Sequence, residues 1–273
     1  MLEFHPNPRP ERVLVVAAHP DDIEFLAGGT LGQWARAGVA LHYLLVTDGA
    51  GGSRDPEQTQ RQLAAIRRAE QRHAAQIVGV RSVTFLGYDD GRVEHTLELR
   101  IEIARVMRRV RPDVVVTQDP MFRYSSTYVN HPDHRAVAEA TLAAIMPLAN
   151  TRLSALELLD EGLEPHDVSE IYLSAPTAPS VWSSLTADDL DFKLQALRAH
   201  LSQLKGWNAE QMACEWAMQV AAAARELGIN CEFAEAFDYI RLAPPSAATS
   251  ANPPARSTSL HYRRAAPWEP WHR

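Results

Sequence analysis

The sequence predicts an α/β fold: a doubly wound, mostly parallel sheet flanked by helices, with C-terminal helices and strands completing a pocket. Two observations carry that prediction. Four short apolar runs (Val13 to Ala18, Leu41 to Val46, Val83 to Leu86 and Val114 to Val116) alternate with stretches of helical periodicity. The first run is apolar and rich in β-branched residues, as a strand covered on both faces requires, and it ends on His19-Pro20-Asp21-Asp22 with Glu24 just beyond. An imidazole and adjacent carboxylates at a strand end mark a place for chemistry.

Each element follows in order. Ala27-Gly28-Gly29-Thr30 leads into Leu31 and Trp34, a helix whose small residues permit close approach to the sheet, and Leu41 to Val46 closes a first βαβ unit. Thr47 to Ser53, with three glycines, is a flexible loop. Leu63, Ile66, Glu70, His73 and Ile77 then recur at helical spacing, with Glu70 expected to pin a loop or an arginine. The third strand is followed by a helix carrying Leu97, Ile101, Ala104 and Met107, which Pro112 closes. After the fourth strand come a polar, aromatic loop, Gln118 to Asn130, and an alanine-rich helix opened by His131-Pro132-Asp133-His134 and running through Ala149. Right-handed crossovers place the first and fourth strands side by side, with a crevice between their carboxyl ends. That order brings His131 and His134 to His19, Asp21 and Asp22.

Beyond residue 151 the pattern changes. Residues 153 to 167 read as an irregular excursion, and Ile171-Tyr172-Leu173 as a strand. Leu190, Leu194, Leu197, Leu201 and Leu204 give one amphipathic helix, Met212 to Leu227 another, and Cys231 to Leu242 a last strand. Residues 1–243 are expected to form one domain, and the Pro-, Ala- and Ser-rich residues 244–273 a disordered or loosely docked tail.

Composition narrows the function. A formal net charge of -7 argues against nucleic acid or an anionic membrane surface as partner and favours a small molecule. Two cysteines, Cys214 and Cys231, build no disulfide framework, and no run is long enough to span a bilayer, so a cytoplasmic location is expected.

Two imidazoles and a carboxylate make a suitable set for a borderline divalent cation, with zinc foremost and another divalent metal admissible. His19, Asp22 and His134 fit that role. Asp21 then sits beside the metal, free to take a proton from water, while His131 donates to a developing oxyanion or to the leaving amine and Asp133 orients the His131 ring. Arg123, Tyr124 and Tyr128, in the loop before the second motif, are candidate substrate contacts. The other histidines lack a partner at useful spacing and default to surface or interior positions.

The chain resembles the LmbE-like or PIG-L family of zinc-dependent N-deacetylases. The resemblance is carried by Ala18-His19-Pro20-Asp21-Asp22 with Glu24 and Gly28-Gly29, by Thr47-Asp48-Gly49, by Arg67 with Glu70, and by His131-Pro132-Asp133-His134. Lys193, His200, Ser202 and Gln203 match a later part of the pattern, which extends the resemblance over residues 11 to 242. It implies a Rossmann-like fold, His19, Asp22 and His134 as zinc ligands, Asp21 as general base, His131 with Asp133 as electrostatic partner of the transition state, and His200 approaching the site. It also implies removal of an N-acetyl group from a substrate of the N-acetylglucosamine type, and a homo-oligomer. Ser183-Ser184-Leu185-Thr186 departs from the family, many members of which place an aspartate there. Two other readings compete. A nucleotide-binding protein would need the Gly-x-Gly-x-x-Gly turn that the first strand lacks, and a non-catalytic metal or sugar binder would have no use for Asp21 and His131.

Overall fold

The computed structural model describes residues 10–204 and 208–242. The expected tail, residues 244–273, lies outside the described residues.

A seven-stranded sheet forms the centre, in the order β3-β2-β1-β4-β5-β7-β6. Its strands are β1 (Arg12–Ala17), β2 (Ala40–Thr47), β3 (Ser82–Tyr88), β4 (Val114–Gln118), β5 (Glu170–Ser174), β6 (Val181–Leu185) and β7 (Phe233–Arg241). The first five run parallel, while β7 pairs antiparallel with both β5 and β6. Strands β1 and β4 are neighbours, with Val13 opposite Val114 and Val15 opposite Val116. From β1 the chain winds one way to β2 and β3, then returns to the other side at β4, so the crevice at the strand-order reversal lies above β1 and β4.

Alternation along β1 explains why Val13 to Ala17 are all buried. Leu14 and Val16 enter one core with Leu99, Ile103 and Met107 of α3 (Leu97–Val110) and Val137 and Ala140 of α4 (Pro132–Ala143). Val13, Val15 and Ala17 enter the other with Ile23, Leu31 and Trp34 of α1 (Asp22–Arg36) and Ala75 and Val78 of α2 (Gln60–Val78). Two helical layers thus cover one sheet.

Several boundaries differ from the sequence expectation. Helix α1 begins at Asp22, so the first motif is itself the strand-to-helix turn. The small residues in α1 admit later elements: a Cβ on Gly29 would come within 2.5 Å of Leu185, and one on Gly28 within 3.1 Å of Lys193. Helix α4 ends at Ala143, and Ala144–Ala149 is a wider turn broken at Met146, ahead of Pro147, which has no N–H to continue a helix. After the short α5 (Leu156–Asp160), the expected leucine-rich helix is two pieces, α6 (Ala187–Leu197) and α7 (Leu201–Leu204), with Leu201 66% exposed instead of on a core face. Then α8 (Ala209–Glu226) packs on β7. Strand β6 is not among the strands expected from the sequence; Pro176 and Pro179 precede it, and the polar Ser183-Ser184 pair lies within it. That departing segment lies on the edge strand, and its Thr186 caps α6 in a reciprocal box with Asp189. No helix among the described residues is long and apolar enough to cross a membrane.

Candidate metal and catalytic site

The two motifs meet above β1 and β4. His19 follows β1, Asp22 is the first residue of α1, and His134 lies in the first turn of α4. His19 Nδ1 and His134 Nε2 are 3.2 Å apart. Asp22 Oδ1 lies 3.1 Å from His134 Nε2, and its Oδ2 lies 3.5 Å from His19 Nδ1. Two ring nitrogens and a carboxylate therefore converge on one point.

Hydrogen bonds behind the rings determine which nitrogens face it. Asn130 spends its amide N–H on the Phe122 carbonyl at 2.8 Å, which turns its Oδ1 toward His134 Nδ1 at 2.9 Å. His134 Nδ1 donates there and leaves the Nε2 lone pair facing inward. His19 Nε2 is 3.2 Å from Asp133 Oδ2 and 3.1 Å from Asp90 Oδ1, so Nε2 carries the proton and Nδ1 faces inward. Such carboxylate and amide supports are what a metal-binding imidazole needs to fix its tautomer. The donor set, two neutral imidazoles and a carboxylate with backing, fits a zinc-like ion.

Electrostatics fit the same arrangement. Burial opposes charge on His19, but its hydrogen bonds to Asp133, Asp22 and Asp90 overcome it and raise its pKa well above the usual imidazole range. Burial also opposes the charge on Asp22, yet His134 and His19 hold it well below the carboxylate range. A positive charge is favoured among these groups.

Asp21 is placed differently. Its φ of 84° is left-handed, a conformation uncommon for a residue with a side chain. Its N–H donates to Gln71 Oε1 at 3.1 Å, and Arg67 Nη2 donates to its Oδ2 at 3.1 Å and to the Pro20 carbonyl at 2.6 Å. Arg67 Nη1 reaches the Gly49 carbonyl at 2.9 Å, tying the Thr47-Asp48-Gly49 loop into the site. Burial raises the Asp21 pKa to about 6 against the opposing pull of Arg67. Asp21 and Asp22 both line a cavity of about 200 Å³, together with His134, Tyr128, Phe122 and Trp216.

His131 caps α4, its Nδ1 accepting the Asp133 N–H at 3.2 Å, so in the neutral ring Nε2 is the donor. Burial first, then the nearby His19, lowers its pKa. A ring nitrogen of His131 lies within 4.8 Å of those of His19 and His134. Asp133 is fully buried, accepts the N–H groups of Gly91 at 2.7 Å and Val93 at 3.2 Å, and is closer to His19 than to His131 Nδ1, at 3.9 Å. Its main imidazole partner is thus His19, whereas the sequence suggested His131.

Among the expected substrate contacts, Tyr128 lines the cavity, while Arg123 and Tyr124 are exposed and do not. His200 does not reach the cavity: it is wholly buried in the break between α6 and α7, with Nε2 3.2 Å from Glu24 Oε2. Gln71 Nε2 donates to the other Glu24 oxygen at 2.9 Å. His200, Glu24 and Gln71 therefore form a buried bridge ending on the Asp21 backbone. Glu70, expected to pin a loop or an arginine, instead holds the start of α7, accepting the N–H and hydroxyl of Ser202 at 2.7 and 2.6 Å. Asp90 was missed; its Oδ2 also accepts the Gly51 N–H at 2.8 Å, and despite burial the His19 hydrogen bond brings its pKa down to about 2.

A family model described as GlcNAc-PI de-N-acetylase, PIG-L, matches residues 14–145. The chain is 32% identical over 193 residues to the diacetylchitobiose deacetylase of Thermococcus kodakarensis, covering 71% of this chain and 70% of that one. It is 29% identical over 199 residues to a Bacillus anthracis protein named probable N-acetyl-alpha-D-glucosaminyl L-malate deacetylase 2, covering 70% and 80%. The solved N,N'-diacetylchitobiose deacetylase from Pyrococcus horikoshii, bound to an inhibitor, matches with a TM-score of 0.78 and 28% identity over 88% of each chain. The 4-carboxy-2-hydroxymuconate hydratase GalB from Pseudomonas putida matches with a TM-score of 0.70 at 23% identity, over 86% of this chain and 98% of that one, and shares the fold. One sheet carries both names, so the reaction must be argued from the site.

Proposed function

The chain belongs to the PIG-L family of de-N-acetylases, and from that premise we propose that it is a zinc-dependent hydrolase that removes the acetyl group from an N-acetylglucosamine-type substrate. The observation that carries the reading is the convergence of His19 Nδ1, Asp22 and His134 Nε2 beside Asp21 at the wall of one cavity.

His19, Asp22 and His134 would hold the ion, with Asp90, Asp133 and Asn130 fixing the two rings. When bound, zinc supplies Lewis-acid polarisation of the acetamido carbonyl and makes water more acidic. Asp21, ionised above its raised pKa, takes one proton from the attacking water as the new C–O bond forms. His131, neutral and with Nε2–H as donor, hydrogen-bonds the developing oxyanion. The C–N bond then breaks, and the proton held by Asp21 passes to the nitrogen, giving acetate and a free amine. Tyr128, Phe122 and Trp216 line the same cavity and give it aromatic surface for the substrate.

The deciding experiment is metal analysis of the purified protein combined with acetate release from diacetylchitobiose and from N-acetylglucosamine conjugates of inositol and malate. Zinc at one equivalent and acetate release abolished by chelation and restored by zinc are expected. Chelator-resistant turnover, or no release from any conjugate by the zinc-loaded protein, would overturn the proposal.

A further inference from the structure

Gln118 is the last residue of β4, and alternation along that strand sets where its side chain goes. Val114 and Val116 enter the core shared with Ile23 and Leu31 of α1, while Val115 enters the opposite one, so Gln118 is turned toward α1. There it lines the crevice with Asp22 and Phe25, and it is only 7% exposed. Its backbone pairs with Ser174 of β5, but among the described residues no hydrogen bond or ion pair reaches its side-chain amide.

Its polar neighbours in the crevice are already committed. Asp21, Asp22 and His134 serve as the base and the ligands. Asn130 uses its amide N–H on the Phe122 carbonyl and its oxygen on His134. Asp119 accepts the Met121 N–H on one oxygen, at 2.8 Å, and the Thr177 N–H and hydroxyl on the other, at 2.8 and 2.9 Å. A buried amide with neither its donor nor its acceptor paired within the protein carries a penalty that a bound ligand can relieve. A hydroxyl suits it, because an amide can donate to one or accept from one, whereas the carboxylates around it only accept.

The strand register places this amide near the reacting group. Val13 faces Val114 and Val15 faces Val116, so Gln118 lies level with Ala17, one strand over and two residues short of His19. With strands about 4.8 Å apart and a rise of about 3.3 Å per residue, its Cα is roughly 8 Å from that of His19. A glutamine side chain spans much of that distance, which leaves room for one hydroxyl-bearing carbon beside the reacting acetamido group. In an N-acetylglucosamine conjugate that group is on C2, C1 carries the conjugated partner, and C3 is the neighbouring carbon with a free hydroxyl.

We propose that the Gln118 amide hydrogen-bonds the 3-hydroxyl of the N-acetylated sugar and so determines which sugars the crevice accepts. The assignment rests on the deacetylase reading for placing C2 over the metal ligands, and it adds which neighbouring group is read.

Binding to ligands inert to amide hydrolysis tests the contact apart from turnover. Methyl N-methylsulfonyl-β-glucosaminide and its 3-deoxy and 6-deoxy forms are titrated by calorimetry into the full-length, zinc-loaded protein. For the parent protein, loss of the 3-hydroxyl should raise Kd about tenfold, as one hydrogen bond to a buried group allows. Gln118→Met keeps the length and removes both amide groups. It should bind the 3-deoxy ligand as well as the fully hydroxylated one, while the 6-deoxy ratio, zinc content and unfolding temperature stay at the parent values. A parent protein that ignores the 3-hydroxyl, a Gln118→Met variant that keeps the tenfold ratio, or no binding of any of the three ligands overturns the assignment. The expected ratios without acetate release from any conjugate support the Gln118 contact and overturn the deacetylase reading.

Discussion

Gln71 Oε1 accepts the backbone N–H of Asp21 at 3.1 Å, and this bond anchors a residue whose φ of 84° is uncommon for any side chain larger than glycine. The other end of the Gln71 amide is held by Glu24, and Glu24 by His200, both wholly buried. Gln71→Met removes both bonds while keeping length and bulk. It should lower kcat about tenfold with zinc content unchanged, and cost on the order of 1–3 kcal/mol from the polar groups left unpaired. Parallel zinc analysis, steady-state kinetics and urea unfolding measure the three quantities. An unchanged kcat in a folded, zinc-loaded variant would remove Gln71 from the positioning of Asp21.

Ligands and supports should separate in a metal titration. His19→Ala, Asp22→Ala and His134→Ala are expected to lose stoichiometric zinc. Asn130→Ala leaves the ligands in place but removes the tautomer partner of His134, and affinity should fall about 10–100-fold; Asp90→Asn neutralises one of the two carboxylates on His19 Nε2 while Asp133 remains, and should cost less. Asp21→Asn should retain zinc and lose about 10²–10⁴ in turnover, the usual span of a general base. Competition against a chelator of known affinity distinguishes the three classes.

The adjacency of β1 and β4 was legible because the handedness of crossovers leaves few strand orders. It followed that His19, Asp22 and His134 would meet, and they do. Asp90 was not legible. It follows Asp89 after β3 with no spacing to another ligand, and it reaches His19 only because β3 and β1 end on the same side of the sheet. The His131–Asp133 relationship was misjudged because nearness in sequence favoured a pair that the first turn of α4 separates: the Asp133 backbone faces His131, and its carboxylate faces His19. The leucine periodicity ran through residues 198–200 unbroken, and only the burial of His200 against Glu24 reveals the interruption.

The Asp21 pKa has two measurable consequences. As a general base it must be ionised, so kcat/KM should fall as pH drops below its pKa, about 6 for the protein without a metal and lower when a cation sits on Asp22. Arg67 acts to lower that pKa, so Arg67→Gln should move the acid limb of the profile upward. The sign for stability is the reverse of the usual carboxylate. A folded pKa above the ordinary 3.8 means that ionised Asp21 works against folding above pH 6, and that this cost disappears as pH falls toward 4. Metal-free Asp21→Asn should therefore have a higher Tm than the parent at pH 7, with the gap closing near pH 4. A gap that does not change with pH would show that the Asn effect is packing, not charge.

Lys193 and Glu235, each 4% exposed at the side chain, reach into the middle of α1 at Phe25, Gly29 and Thr30. Removing one partner leaves an uncompensated buried charge, so Lys193→Met should cost about 3–5 kcal/mol. The double variant Lys193→Met with Glu235→Gln neutralises the remaining charge while keeping an amide oxygen for the Gly29 and Thr30 donors, so it should be more stable than the single variant. The same comparison bears on the site, because Phe25 both accepts the Lys193 bond and walls the cavity beside Asp22. Urea unfolding of the two variants and the parent reads the coupling directly. A double variant less stable than Lys193→Met would mean that the Glu235 charge itself, through its hydrogen bonds to α1, outweighs the ion pair.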